Sequence, residues 1–188
     1  KIVYKLKIIG KENIPTDGPI LVVGNHIHIM DQCLPILCTK RPVHYMAKDE
    51  YFKGKGAWFF KLACCIPVDR SIKDENAKSK AREVLNRGGA LGIFPEGTRN
   101  KTLGTKDEVD LLPFKYGAVS FAYKSGAPIV PFAICGKYKM FSGRKYIIYG
   151  KPYKVGEDLE KENQILMDKV RKLKIKGDKL YENETGRK

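Results

Sequence analysis

The sequence predicts an α/β fold, a single domain over residues 1–188 with a mostly parallel or mixed sheet of about seven strands covered by helices. Three observations lead there. Short apolar runs of strand length recur along the chain, amphipathic segments of helical period stand between them, and no repeat or low-complexity linker divides the sequence. Its 188 residues suit one hydrophobic core and are short for two.

The strand runs are KIVYKLKII, PILVVGN, VHYMA, CIPVD, ALGIFP, PIVPFAI and KYIIYG, each bounded by turn-forming or charged residues. Between CIPVDRS and ALGIFPEG, the segment KDENAKSKAREVLNRGG sets Ala77, Ala81, Val84 and Leu85 on one helical stripe. Acidic residues occupy its first turn and Gly88 ends it. PFKYGAVSFAYKSG predicts a second helix, from Pro113 to Gly126. A longer charged helix closes the chain from about Glu160, with YENETGRK frayed at its end. In YFKGKGAWFFKLACC, Trp58, Phe59 and Phe60 stand between Lys53, Lys55 and Lys61. That pattern suits an amphipathic surface at lipid head groups, and equally aromatics in the core with lysines in water.

Thirty-six Lys and Arg oppose twenty-one Asp and Glu, a formal charge of +15. Nucleic acid, an anionic membrane or an acidic protein or phosphorylated substrate would each complement it. The basic residues are scattered through every segment rather than interleaved with aromatics, so no nucleic acid is expected. Cys33, Cys38, Cys64, Cys65 and Cys135 are odd in number and set in apolar stretches, which predicts buried reduced thiols. No apolar run approaches the roughly twenty residues of a spanning helix. Because the chain opens in mid-strand, a membrane-anchoring N-terminal segment is expected before residue 1.

GNHIHIMDQ, residues 24–32, holds two of the three histidines. A metal reading fails on spacing: Asp31 comes one residue late for a His-x-His-x-Asp-His site, Gln32 stands where the next histidine belongs, and only His44 remains elsewhere. No metal is expected. An acid–base pair fits better. His26 and Asp31 are five residues apart, which in a continuous helix would separate them by about 140°. If PILVVG is a strand and Gly24-Asn25-His26 its exit turn, the Asp31 carboxylate can fold back to the imidazole. It then fixes the tautomer and leaves the other ring nitrogen to take a proton from a hydroxyl. Asn25 is expected to brace the turn, and His28 to support it. A polar helix-entry turn without chemistry is the competing reading.

A second segment, GIFPEGTRN, follows another strand. Gly97 permits close backbone approach, Thr98 adds a hydroxyl, Arg99 offers a planar fork for phosphate oxygens, and Glu96 can orient a hydroxyl or hold Arg99. Arg70, in IPVDRS, ends a strand in a similar position. In a parallel sheet the carboxyl ends of strands gather at one edge, so the three loops can meet. Lys115 is a further candidate phosphate contact. The stretch NKTLGTKDEVD after Arg99 reads as a surface loop or a lid.

NHIHIMD, CIPVDRS, FPEGTRN and APIVPFAI occur in the order and spacing of the four motif blocks of the glycerophospholipid acyltransferases, and the chain resembles that family over nearly its whole length. Asn-His-x-x-x-x-Asp with Phe-Pro-Glu-Gly-Thr-Arg is the specific part. The resemblance implies transfer of a fatty acyl group from a thioester, acyl-CoA or acyl-ACP (the acidic acyl carrier protein), to the sn-2 hydroxyl of lysophosphatidate, at the cytoplasmic face of the cell membrane and with an anionic membrane surface as partner. It implies His26 as base, Asp31 as its orienting acid, and Arg70, Glu96, Gly97, Thr98 and Arg99 around the glycerophosphate. Val130 and Pro131 would help shape the site. It implies no cofactor. Glycerol 3-phosphate or another lysophospholipid is the alternative acceptor, and a basic protein that binds anionic lipid or nucleic acid is the non-enzymatic alternative. Position 28 is often serine or another small residue in the family, and here it is His28. Catalysis through Cys64 or Cys65 is a further alternative.

Overall fold

A computed structural model describes residues 5–69, 71–72, 74–102, 106, 109–136 and 144–186. Among them, seven strands form one sheet: β1 (Lys5–Ile9), β2 (Ile20–Gly24), β3 (Val43–Lys48), β4 (Ile66–Val68), β5 (Ala90–Ile93), β6 (Ile129–Cys135) and β7 (Arg144–Tyr149). Their order is β1-β7-β6-β2-β5-β3-β4. All neighbouring pairs are parallel except β6 with β7, so the mixed α/β sheet expected from the sequence is what forms. β2 lies between β5 and β6, fully buried along its length, with Val22 beside Gly92 on one side and Val130 on the other. A strand with neighbours on both sides and helices on both faces needs apolar residues at every position, which ILVVG supplies.

Two apolar layers follow from the alternation of side chains. Leu21, Val23, Leu91 and Ile129 face α3 (Glu75–Asn86), α4 (Gly117–Ser125) and α5 (Leu159–Thr185). Ile20, Val22, Tyr45, Val130 and Phe132 face the opposite layer, which α1 (Cys33–Cys38) closes with Leu34 and Cys38, while Phe60 of α2 (Ala57–Leu62) packs at its margin. Asp74 caps α3 by accepting from the Ala77 amide at 2.9 Å, and Asp158 caps α5 from the Lys161 amide at 3.0 Å.

Three expectations change. The second helix begins at Gly117 rather than Pro113, because Lys115 instead donates its amide to Pro95 O at 2.8 Å and ties that stretch to the neighbouring loop. The last helix does not fray at Tyr181: it runs to Thr185, held by Tyr181 edge-on to Tyr146 and by Glu184 with Lys7 and Arg144. Cys38, Cys65 and Cys135 are buried as expected, but Cys64 is exposed.

Where β2 ends, the strands close up. A Cβ on Gly24 would lie 2.6 Å from Phe132 O and 2.5 Å from two atoms of its ring, so only glycine lets β2 and β6 pair at that register. Gly24→Ala should lower stability by about 1–3 kcal/mol in urea unfolding. Gly117→Ala, whose Cβ would meet nothing within 4 Å, should leave it unchanged or slightly raised.

Candidate active site

The carboxyl ends of β2 and β5 deliver the two sequence motifs to one edge of the sheet. After Gly24 the chain does not enter a helix at once. Asn25 acts as one more strand residue through its side chain, accepting from Ile134 N at 2.7 Å and donating to Ile134 O at 3.0 Å. The next residues coil around Asp31, and α1 starts only at Cys33. Asp31 therefore precedes the helix rather than lying in its early turn.

Asp31 has no solvent exposure. Its Oδ2 accepts from Ile27 N at 2.6 Å, His28 N at 2.7 Å and the His26 ring Nδ1 at 2.9 Å. Three donors converging on one oxygen describe a carboxylate, and a carboxylate at Nδ1 requires that nitrogen to carry the hydrogen. The lone pair of His26 is then on Nε2. The imidazole is stacked on Phe94, with ring centres 4.2 Å apart and planes 12° from parallel, and its side chain keeps 18% of its exposure. Phe94 in turn stacks on Tyr45 at 5.0 Å. His26 is thus clamped on one ring face and keeps part of its side chain exposed.

Glu96 grips the same turn from β5. It is 3% exposed, and its two oxygens accept from His26 N at 2.7 Å and Leu112 N at 3.0 Å. Asn100 N donates to His26 O at 2.7 Å. The loop from Glu96 to Asn100 consequently bonds both the amide and the carbonyl of His26, which sets Arg99 beside the His26–His28 turn. Glu96 serves the backbone rather than holding Arg99. Burial, the leading cause, pushes its carboxyl up to about 7, against the pull of the two backbone N–H donors. Gly97 takes φ 69°, a conformation natural to glycine, and its Cα faces the Lys115 side chain closely enough that a Cβ would meet the ammonium at 2.9 Å. Lys115 therefore joins Arg99 and the exposed Thr98 at this edge. Arg70 lies outside the described residues.

The other sequence candidates sort plainly. His28 Nδ1 accepts from Met30 N at 3.2 Å, which leaves Nε2 as its donor, and burial lowers its pKa. His44 is remote from this edge, its Nδ1 3.0 Å from Cys64 O. Val130 and Pro131 lie buried within β6 rather than in the loops around His26. Of the segment after Arg99, the described parts are tied down: Asn100 Nδ2 donates to Val109 O at 2.8 Å, and Asp110 pairs with Lys174 at 2.8 Å. Residues 103–105, 107 and 108 lie outside the described residues. One contributor escaped the sequence reading, Phe94 as the platform of His26. The sequence reading also passed over Lys145 in β7, although alternation in RKYIIYG places it on the same side as Ile147 and Tyr149.

A carboxyl raised from about 4.5 unfolded to about 7 folded binds its proton more tightly in the folded state. Its ionisation therefore costs nothing below the unfolded value and takes full effect above the folded one. Replacing Glu96 by Gln removes that titration. Between about pH 5 and pH 8 the stability of Glu96→Gln relative to wild type should rise by on the order of 2 kcal/mol, read by urea unfolding at each pH.

Comparison with known proteins identifies relatives of this chain. Residues 5–135 match the family model described as Acyltransferase. The chain is 34% identical over 155 residues to the 1-acyl-sn-glycerol-3-phosphate acyltransferase of Bacillus subtilis, covering 78% of this chain and 73% of that one. It is 31% identical to the Borreliella burgdorferi protein of that name, over 73% of this chain and 54% of the relative, and 30% identical to the Saccharomyces cerevisiae one, over 89% and 60%. It thus spans between about half and three quarters of these relatives' lengths. The crystal structure of the 1-acyl-sn-glycerophosphate (LPA) acyltransferase PlsC from Thermotoga maritima superposes with a TM-score of 0.73 at 25% identity, over 90% of this chain and 70% of that one. The chain belongs to the acyltransferase family.

Proposed function

We propose that this acyltransferase moves a fatty acyl group from an acyl-CoA or acyl carrier protein thioester to the sn-2 hydroxyl of lysophosphatidate, giving phosphatidate. The observation that carries the reading is the His26–Asp31 pair, with Nδ1 committed to the carboxylate, beside a loop bearing Thr98 and Arg99 with Lys115 against its Gly97. The names of the relatives support the acceptor.

Chemically, a secondary hydroxyl is a weak nucleophile and a thioester carbonyl is already activated, so an aligned base suffices. His26 Nε2 takes the hydroxyl proton as its oxygen bonds to the carbonyl carbon. The tetrahedral intermediate then expels the thiolate, which receives the proton from the imidazolium, and Asp31 steadies that cation throughout. Arg99 and Lys115, with Arg70 by the family motif, grip the phosphate and so hold the hydroxyl in line.

The same reading explains the exposed apolar residues. α1 and α2 cover one face of the sheet, and Leu37, Trp58 and Leu62 on them are 67%, 66% and 74% exposed, with Ile29 and Met30 of the His26 turn at 39% each. Phe60 is packed inward against Tyr51, so the aromatic trio divides between core and surface. Exposed Lys53, Lys55 and Lys61 flank Trp58 and Leu62. Apolar tips ringed by lysines suit an anionic bilayer surface, where a lysophospholipid resides. No helix among the described residues is long and apolar enough to cross a membrane.

His26→Ala should reduce kcat/KM by on the order of 10²- to 10⁴-fold, and Asp31→Asn by a comparable factor without raising KM, in assays of acyl transfer to lysophosphatidate, glycerol 3-phosphate and other lysophospholipids in parallel. Unimpaired transfer by folded His26→Ala would overturn the mechanism, and preference for another acceptor would overturn the substrate. Trp58→Ala with Leu62→Ala should cut sedimentation with phosphatidylglycerol vesicles roughly tenfold or more. Turnover of a short-chain acceptor in solution should stay at the wild-type rate.

A further inference from the structure

β7 carries a lysine on its apolar side. Lys145 shares the parity of Ile147 and Tyr149, which lie in the layer beneath α1, whereas Tyr146 packs toward α5. Its side chain has no exposure, and its Nζ donates to Gly136 O. Gly136 directly follows β6, whose Ile134 is the residue doubly bonded to the Asn25 amide. Lys145 and Asn25 therefore hold one strand end from two sides, and Asn25 is the residue before His26.

An ammonium in an apolar layer is costly unless an anion answers it. The Asp31 carboxylate supports its charge most, ahead of the Cys135 thiol of β6 and Asp178 of α5. β1 contributes Leu6, its register partner. The Lys145 charge reaches His28 of the same turn as well.

We propose that Lys145 is a positioning residue for the acyl transfer: its buried ammonium answers the Asp31 carboxylate and, through Gly136, holds the strand end to which Asn25 secures the His26 turn. The catalytic part of this rests on His26 acting as the base, while the electrostatic part does not. A positive charge that answers Asp31 weakens the pull of that carboxylate on a positive neighbour, so its removal is felt at the His26 ring. Burial brings the Lys145 ammonium down to about 8, which places the loss of its charge within an accessible pH range.

Lys145→Met should lower kcat about tenfold or more, leave KM for the acceptor within about threefold, and move the acid limb of the kcat/KM profile upward by on the order of one pH unit. Lys145→Arg should restore the limb. The ring resonances of His26, followed by NMR, give a readout independent of turnover. Their titration midpoint should move upward in Lys145→Met, and in wild type they should show a second inflection near pH 8. A folded Lys145→Met with unchanged limb and unchanged ring titration would overturn the proposal. Should that variant not fold, a wild-type ring titration without the second inflection overturns it. Wild type inactive toward every acceptor, with the ring titrations as described, would instead remove the function and leave the charge coupling standing.

Discussion

One oxygen of Asp31 gathers the amides of Ile27 and His28 and the ring N–H of His26, all within 2.9 Å, in a place water does not reach. Much of the site's shape follows from that convergence. A buried carboxylate must be satisfied by fixed donors, and here the nearest are the backbone of the turn that leads to it. The turn must coil around the carboxylate before α1 can begin, and the imidazole must present Nδ1 inward. Imidazole orientation and loop conformation are therefore one interaction.

Glu96 performs a related task from the other side with a different electrostatic outcome. It also spends both oxygens on backbone amides, yet it is pushed up to about 7, with the negative charges of Asp31 and Asp110 adding to burial. Two carboxyl groups around one histidine need not both carry full charge near neutrality. The one in ring contact orients the imidazole, and the one in backbone contact holds the peptide of His26, by a bond from His26 N that Asn100 complements at His26 O. Phe94, the residue after β5, adds the stacking plane and excludes water from one side of the ring.

Much of this arrangement is legible in the sequence because the period of a strand and the end of a strand are local properties. ILVVG reads as a central strand, ALGIFP as another, and the loops after them fall at one edge once the sheet is parallel. The pairing of His26 with Asp31 is likewise readable, since five residues across a turn allow a contact that a helix forbids. Long-range partners decide what is not legible. Whether a helix starts at Pro113 or Gly117 depends on Lys115 N finding Pro95 O, twenty residues earlier in the chain. Whether YENETGRK frays depends on Tyr146 and Lys7, which no local pattern brings near it. Glu96 reads as a candidate ligand for a hydroxyl or for Arg99, and its backbone partners appear only when β2 and β5 lie side by side.

In the proposed reaction the sheet also sorts the two halves of an amphiphilic acceptor. The helices α1 and α2, with Leu37, Trp58 and Leu62 outward, occupy one face, and the polar outer surface of α5 lies on the other. The edge at which β2 and β5 end is where the two meet, and it is there that His26 stands, on a turn bearing Ile29 and Met30 and beside a loop bearing Thr98 and Arg99. In the proposed reaction an acyl chain on the apolar side and a phosphate at the basic loop leave the glycerol between them little freedom to turn. Orientation of that kind replaces the covalent intermediate that an enzyme with a protein nucleophile would use, and it requires the base to be rigid rather than strong. The buried carboxylates under the turn supply that rigidity.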